Sequence, residues 1–170
     1  MQIQVKRWQP EDAAALAALF GEVDRGFLSD RLPNPYTRQD ADFWLSRVQE
    51  REGHSGVYRA IWAGDQMVGM VSVDQKEDVC RKDAEISYLL LTAQWSRGIM
   101  TEAVGQTCVA AFQELDILRI TGQVYDANLA SRRVLEKNGF VLEGVMKNAV
   151  FKNGRLYDLC IYGKQKEQGS

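Results

Sequence analysis

Apolar and polar positions change period several times along this chain, and each change marks the border of an element. At the start, Ile3, Val5 and Arg7 alternate with Gln4 and Lys6, the two-residue period of a short strand. Pro10 followed by Glu11 and Asp12 opens a helix expected to reach about Glu22, since proline suits a first helical position and acids suit that end of the dipole. Gly26, Ser29, Asp30, Pro33, Asn34 and Pro35 make 26–35 a loop. Thr37 with Asp40 three positions on has the form of a capping box, so a second helix is expected to about Arg51. Apolar runs at 58–62 and 67–73 around Gly64-Asp65 predict a β-hairpin, and 80–83 is a polar connection. Strands are then expected over 84–91 and 119–125, each followed by a helix, over 99–115 and 129–138, the second stopped by Gly139. Two last runs, 140–150 and 156–163, flank Asn153-Gly154, the strongest short hairpin signal.

That order predicts an α/β fold with a mixed sheet, mostly antiparallel, around one central parallel β–helix–β crossing. No repeat, low-complexity tract or linker interrupts it, so one domain is expected over 1–165, with 166–170 a polar tail and fraying from about Lys164. The 170 residues suffice for a proper core, and 45% apolar with 26% charged residues is ordinary for a soluble globular chain. A net charge of −2 gives no footprint for nucleic acid. No apolar run approaches the ~20 residues that span a bilayer, and the N-terminus lacks the apolar centre of a signal peptide, so no membrane partner and a cytoplasmic address are expected. Cys80, Cys108 and Cys160 are far apart and suit thiols better than a disulfide framework. His54 is the one histidine, so no metal site is expected and Cys–His catalysis has no local support.

The segment Gln94-Trp-Ser-Arg-Gly-Ile-Met-Thr-Glu-Ala103 joins an apolar strand to an amphipathic helix through a short polar turn. First-turn N–H groups of a helix lack internal partners and its dipole favours negative charge, so such a turn makes a phosphate seat. Gly98 allows close backbone approach and Arg97 adds a cation; the plainer reading is an ordinary strand-to-helix connection. A second helix start follows the strand 119–125. There Asn128 is suited to cap the helix, with Ser131 one turn on and Arg132 beside it. Two helix openings after neighbouring parallel strands can line one cleft.

At this point the chain resembles the GNAT superfamily of N-acetyltransferases, in particular its ribosomal-protein (RimJ/RimL-type) branch, over nearly its whole length. Trp95-Ser-Arg-Gly98-Ile-Met100 occupies the family's Arg/Gln-x-x-Gly-x-Gly/Ala motif. Asn128, Ser131, Glu136, Lys137, Gly139 and Phe140 match a second motif, and Glu143-Gly144 with Asn153-Gly154-Arg155, Asp158 and Tyr162 match a closing hairpin. The resemblance implies acetyl-CoA as donor, held by Trp95, Ser96, Arg97, Gly98, Ile99, Met100, Thr101, Asn128, Ser131 and Arg132. It places pantetheine between strands 84–91 and 119–125 where they splay. Trp95 and Met100 depart from the motif without removing backbone donors. Leu135 stands where many members have a tyrosine as general acid.

A thioester needs no protein nucleophile, only a neutral amine, a held carbonyl and a tolerable leaving thiolate. An aliphatic ammonium titrates near ~10 and a peptide α-amine near ~8, so a base or desolvation must supply the free amine. Glu85, in Ala84-Glu-Ile-Ser-Tyr-Leu, is the carboxylate best placed by sequence, expected half-buried and with a raised pKa; an exposed strand-start carboxylate is the alternative. Backbone N–H groups around Leu89, Leu90 and Leu91 would meet the oxyanion. Ser131 is the acid or thiol partner, with Tyr88 and Tyr125 as rivals better suited to core. Arg133 and Lys137 read as solvated helix charges and Glu102 as a complement to its helix dipole. By resemblance the acceptor groove is walled by 26–36 and the hairpin near 146–157. Phe27, Tyr36, Phe151 and Tyr157 would offer apolar walls, and Asp24, Asp30, Glu143 and Asp158 could attract a cation. The expected activity is direct transfer to a primary amine, a protein N-terminus favoured over a polyamine or other small amine. A non-catalytic acyl-CoA-binding module is the rival, and the chain is expected as a monomer or homodimer.

Overall fold

The computed structural model describes residues 2–168. The elements in chain order are β1 (Ile3–Lys6), α1 (Ala13–Glu22), α2 (Arg38–Arg51), β2 (Gly56–Ala63) and β3 (Gln66–Gln75). β4 (Asp83–Leu90), α3 (Ile99–Glu114), β5 (Arg119–Tyr125), α4 (Leu129–Lys137), β6 (Val141–Lys152) and β7 (Arg155–Gln165) follow. The expected helix at Pro10 begins instead with a tight turn, Pro10–Asp12, closed by the Asp12 carboxylate accepting from Gln9 N–H at 2.8 Å. The capping box at α2 forms as its spacing predicts: Thr37 Oγ1 accepts from Asp40 N–H at 3.2 Å and Asp40 from Thr37 N–H at 2.8 Å.

One seven-stranded sheet in the order β1-β2-β3-β4-β5-β7-β6 carries the fold. Every pairing is antiparallel except β4 with β5. α1 and α2 pack together and against β3 and β2, while α3 packs on β2 and β3 and α4 on β5. Covered on both faces, β2 and β3 are buried almost throughout, which is why their sequences are near-continuous apolar runs rather than alternating ones. The polar end of the chain is held further than its composition suggests. β7 runs through Gln165 and Lys166 N–H donates to Leu118 O at 2.8 Å.

The arrangement that positions a site is the parting of the two parallel strands. β4 and β5 are in register only from Asp83↔Arg119 to Ile86↔Gly122. Beyond that, β4 stays with β3 as far as Leu90, and β5 stays with β7 as far as Tyr125. Gly122 marks the point of departure, because a Cβ there would lie 2.9 Å from Leu135 Cδ1. The missing side chain lets fully buried Leu135 of α4 close against β5.

Candidate functional site

The turn after β4 forms the seat expected at a helix start. Gly98 is the N-cap of α3 with φ 75°, and no side chain caps the first-turn N–H groups. Ser96 is also left-handed, φ 62°, so two such residues flank Arg97 in the turn. A Cβ built at Gly98 meets nothing within 4 Å, which leaves this backbone open to the cleft. Trp95 Nε1 donates to Leu90 O at 2.9 Å, so the residue that departs from the family motif clamps the turn to the end of β4.

Facing this turn is the start of α4. Asn128 Oδ1 accepts from Ser131 N–H at 3.3 Å, the cap its position predicted. Asn138 Nδ2 donates to Thr101 O at 3.0 Å and so ties the end of α4 to the start of α3. Between them lies a cleft of about 370 Å³. Leu89, Leu90, Trp95, Ser96, Arg97, Gly98, Ile99, Met100, Thr101, Asn128 and Ser131 all line it.

Two residues expected with these lie elsewhere. Leu91 is buried and its N–H donates to Val68 O at 2.8 Å. Arg132 points across α4, with Nε donating to Tyr162 Oη at 3.0 Å and Nη1 to Asp126 O at 3.3 Å. Its neighbours Arg133 and Lys137, exposed as solvated helix charges are, line the cleft with Arg97. The signal was their four-residue spacing, which puts both on one helix face with Ala130 and Val134. Three cations beside an uncapped helix start fit the pyrophosphate of a CoA donor.

Strand geometry decides which backbone groups are free. Along β4, Lys76 N–H donates to Asp83 O at 3.0 Å and Leu91 N–H to Val68 O, so odd-numbered positions bond β3. Even-numbered positions face β5, as Lys82 O shows by accepting from Leu118 N–H at 2.7 Å. Once β5 has left, this two-residue alternation turns the N–H groups of Tyr88 and Leu90 into the gap, and that of Leu89 toward β3. Of the three leucines, Leu90 is the one whose N–H is available there.

At the same gap the Tyr88 phenol lies 2.7 Å from Ser131 Oγ and donates to Ser131 O at 3.1 Å. Burial pushes the phenol pKa well above its ordinary value near 10, so it stays protonated. From sequence alone Tyr88 suits the core, because aromatic residues in strands usually do. Its even-numbered place, past the end of the β4–β5 pairing, is what turns it toward α4. Glu85 lies on the other face of β4, directly across from Asp74, and is exposed rather than half-buried. The alternation that buries Ala84 and Ile86 turns it outward.

A second chamber of about 420 Å³, between the sheet and α1, α2 and their connection, shares Leu28, Tyr88 and Leu89 with the cleft as lining residues. Ser72, Asp74 and Ser87 lie on its floor, with Leu28, Leu32 and Tyr36 above. Tyr36 stacks on Phe20 at 4.3 Å. Of the other expected acceptor walls, Phe27 packs edge-on to Tyr125 at 5.6 Å and lines the donor cleft with Asp24. Tyr157 stacks on Tyr125 at 5.6 Å, and Phe151 is exposed. Three of the acids are already paired: Asp30 with buried Lys152 at 2.6 Å, Asp158 with Lys147 at 3.1 Å, and Glu143 with Arg119.

Comparison with known proteins agrees with this geometry. Residues 2–141 match the family model described as acetyltransferase (GNAT) domain. The chain is 38% identical over 146 residues to "Probable N-acetyltransferase YjcK" of Bacillus subtilis (strain 168), covering 81% of this chain and 80% of that protein. Its fold superimposes with a TM-score of 0.88 on a ribosomal-protein-S5-alanine acetyltransferase from Vibrio fischeri, at 23% identity, over 99% of this chain and 95% of the other. The protein yncA of Salmonella typhimurium, solved with acetyl-CoA, gives a TM-score of 0.81 at 18% identity, over 99% and 96%. The chain belongs to the GNAT family and is an N-acetyltransferase.

Proposed function

We propose that this GNAT enzyme moves an acetyl group from acetyl-CoA directly to a primary amine, a peptide or protein N-terminal α-amine by preference. The observation that carries the reading is that the two cavities meet at a shared wall, Tyr88 and Leu89. A donor held along one cleft presents its reactive end to an acceptor entering the other, with no covalent enzyme intermediate required. The N–H groups from Ser96 to Thr101, with Arg97, Arg133 and Lys137, hold the pyrophosphate. Acetyl-CoA, when bound, supplies an activated acyl group.

The chain's own residues then have three tasks. Leu90 N–H, and Tyr88 N–H beside it, face the place where negative charge gathers on the acyl oxygen and stabilise it there. The Tyr88 phenol and Ser131 hydroxyl form one hydrogen-bonded unit that delivers a proton to the departing sulfur. This stands in for the acid that Leu135 cannot provide. Glu85 takes the amine proton through water. Glu85 lies four positions from Leu89, about 13 Å along a strand, too far for direct contact. The acceptor preference draws on the ribosomal-protein acetyltransferase that shares this fold.

Thiol release from acetyl-CoA, measured over a panel of N-terminal peptides, polyamines and small amines, tests both parts. Turnover with peptides above the other amines is expected. Turnover with polyamines alone overturns the acceptor, and none with any amine overturns the transfer.

A further inference from the structure

The acceptor chamber has a charge pattern that the transfer reaction does not explain. Arg47 and Arg51 lie one helical turn apart on α2, and both line it. Among the described residues Asp74 is the one carboxylate lining the chamber. It is already engaged, accepting from Tyr58 Oη at 2.5 Å and standing 3.9 Å from Arg51 Nη1. Arg47 has no carboxylate within ion-pair distance among the described residues, its guanidinium lying 6.0 Å from the exposed Phe43 ring. Glu85, directly across from Asp74 and so on the same face of the sheet, is exposed and does not line the chamber. With Asp74 occupied, Arg47 and the outer face of Arg51 leave guanidinium donors free for an anion.

Strand spacing sets where that anion must sit. The amine has to reach the Tyr88–Leu89 end of the chamber. Asp74 pairs with Glu85, four residues from Leu89, and Arg51 lies beside Asp74. That puts the strand positions beside Arg51 about 13 Å from the amine position, at about 3.3 Å per extended residue. A side-chain carboxylate two residues beyond a peptide's α-amine extends on the order of 10 Å from it, and a long guanidinium arm spans the remainder.

Resting on the acceptor reading above, we propose that the enzyme selects N-termini with an acidic side chain at the third position, and that Arg47 and Arg51 bind that carboxylate. Neither arginine touches the reacting atoms, so their effect falls on KM rather than kcat.

The test uses three peptides identical except for Asp, Asn or Lys at the third residue, with thiol release as readout. The Asp peptide should exceed the Asn peptide by about tenfold in kcat/KM, through KM, and the Lys peptide should be poorest. In the double variant Arg47→Gln/Arg51→Gln the Asp-to-Asn ratio should fall to about one, with the melting temperature and CoA affinity unchanged. Arg47→Glu/Arg51→Glu should turn the preference toward Lys. Equal kcat/KM for the three peptides, or a preference that survives in the double variants, overturns the inference while leaving peptide acetylation standing. Absence of turnover with all three, where another amine is accepted, overturns the peptide reading itself.

Discussion

The phenol oxygen of Tyr88 lies 2.7 Å from Ser131 Oγ, across the gap where β4 and β5 part. One residue comes from a strand and the other from the first turn of α4, 43 positions later. If the pair acts as one proton-delivering unit, Tyr88→Phe should lower kcat by about tenfold or more, with CoA affinity near wild type. Ser131→Ala should do the same to a lesser degree, and the double variant should be no slower than Tyr88→Phe alone. Steady-state kinetics on one accepted amine checks this. Losses that multiply in the double variant would mean two independent roles.

Tyr88 also sets a direction for stability at alkaline pH. Burial, the larger effect, raises its pKa, while the bond to Ser131 opposes the rise. Below the unfolded value of about 10 both states hold the proton and the contribution is fully present. Above it the unfolded chain releases the proton and the native one resists, so stability falls as pH climbs toward the folded value. Half-buried Tyr36, raised to about 12, acts in the same sense. Melting curves between about pH 9 and 11 should therefore fall less steeply for Tyr88→Phe than for wild type. Parallel slopes would remove Tyr88 from the balance.

Gly98→Val should weaken CoA binding strongly and leave the fold in place. The position has φ 75°, which costs an L-residue roughly 1–2 kcal/mol, and its side chain would enter the space open to the ligand. Calorimetry with CoA and a melting curve separate the two effects. An unchanged affinity would take Gly98 out of the seat.

Arg133→Ala and Lys137→Ala should each reduce CoA affinity severalfold at low salt, and the difference from wild type should shrink as salt is raised. Arg132→Ala serves as the contrast. Its guanidinium is held by Tyr162 and Asp126 on the other side of the helix, so it should lower stability more than affinity. Titrations at two ionic strengths settle the pattern, and an affinity loss confined to Arg132→Ala would reverse the assignment.

Glu85→Gln should lower kcat at neutral pH by about ten- to a hundredfold, with acetyl-CoA KM unchanged. The loss should recover at high pH, where the amine deprotonates itself. An exposed carboxylate working through water predicts this profile; wild-type rates for the variant across the whole pH range would exclude it as the base.

The reach of the sequence ended where local interactions end. The capping box at Thr37 and Asp40, the Asn128 cap, the left-handed Gly98 and the Asn153-Gly154 turn each depend on atoms within a few residues, so their residue types announced them. The order of elements was legible for the same reason, since a hydrophobic period is local, and motif order carried the family. Facing was not. Glu85 and Tyr88 share one strand, yet alternation turned one to solvent and the other toward α4, and only the assembled sheet showed which side was which. Arg132 and Arg133 are neighbours in sequence, but a 100° turn of helix put one against Tyr162 and the other in the cleft. The availability of Leu90's N–H and the removal of Leu91's depended on where β5 left β4, a matter of pairing between segments more than thirty residues apart. Residue type and spacing determined what each segment could become; long-range packing decided which of its groups remained free to act.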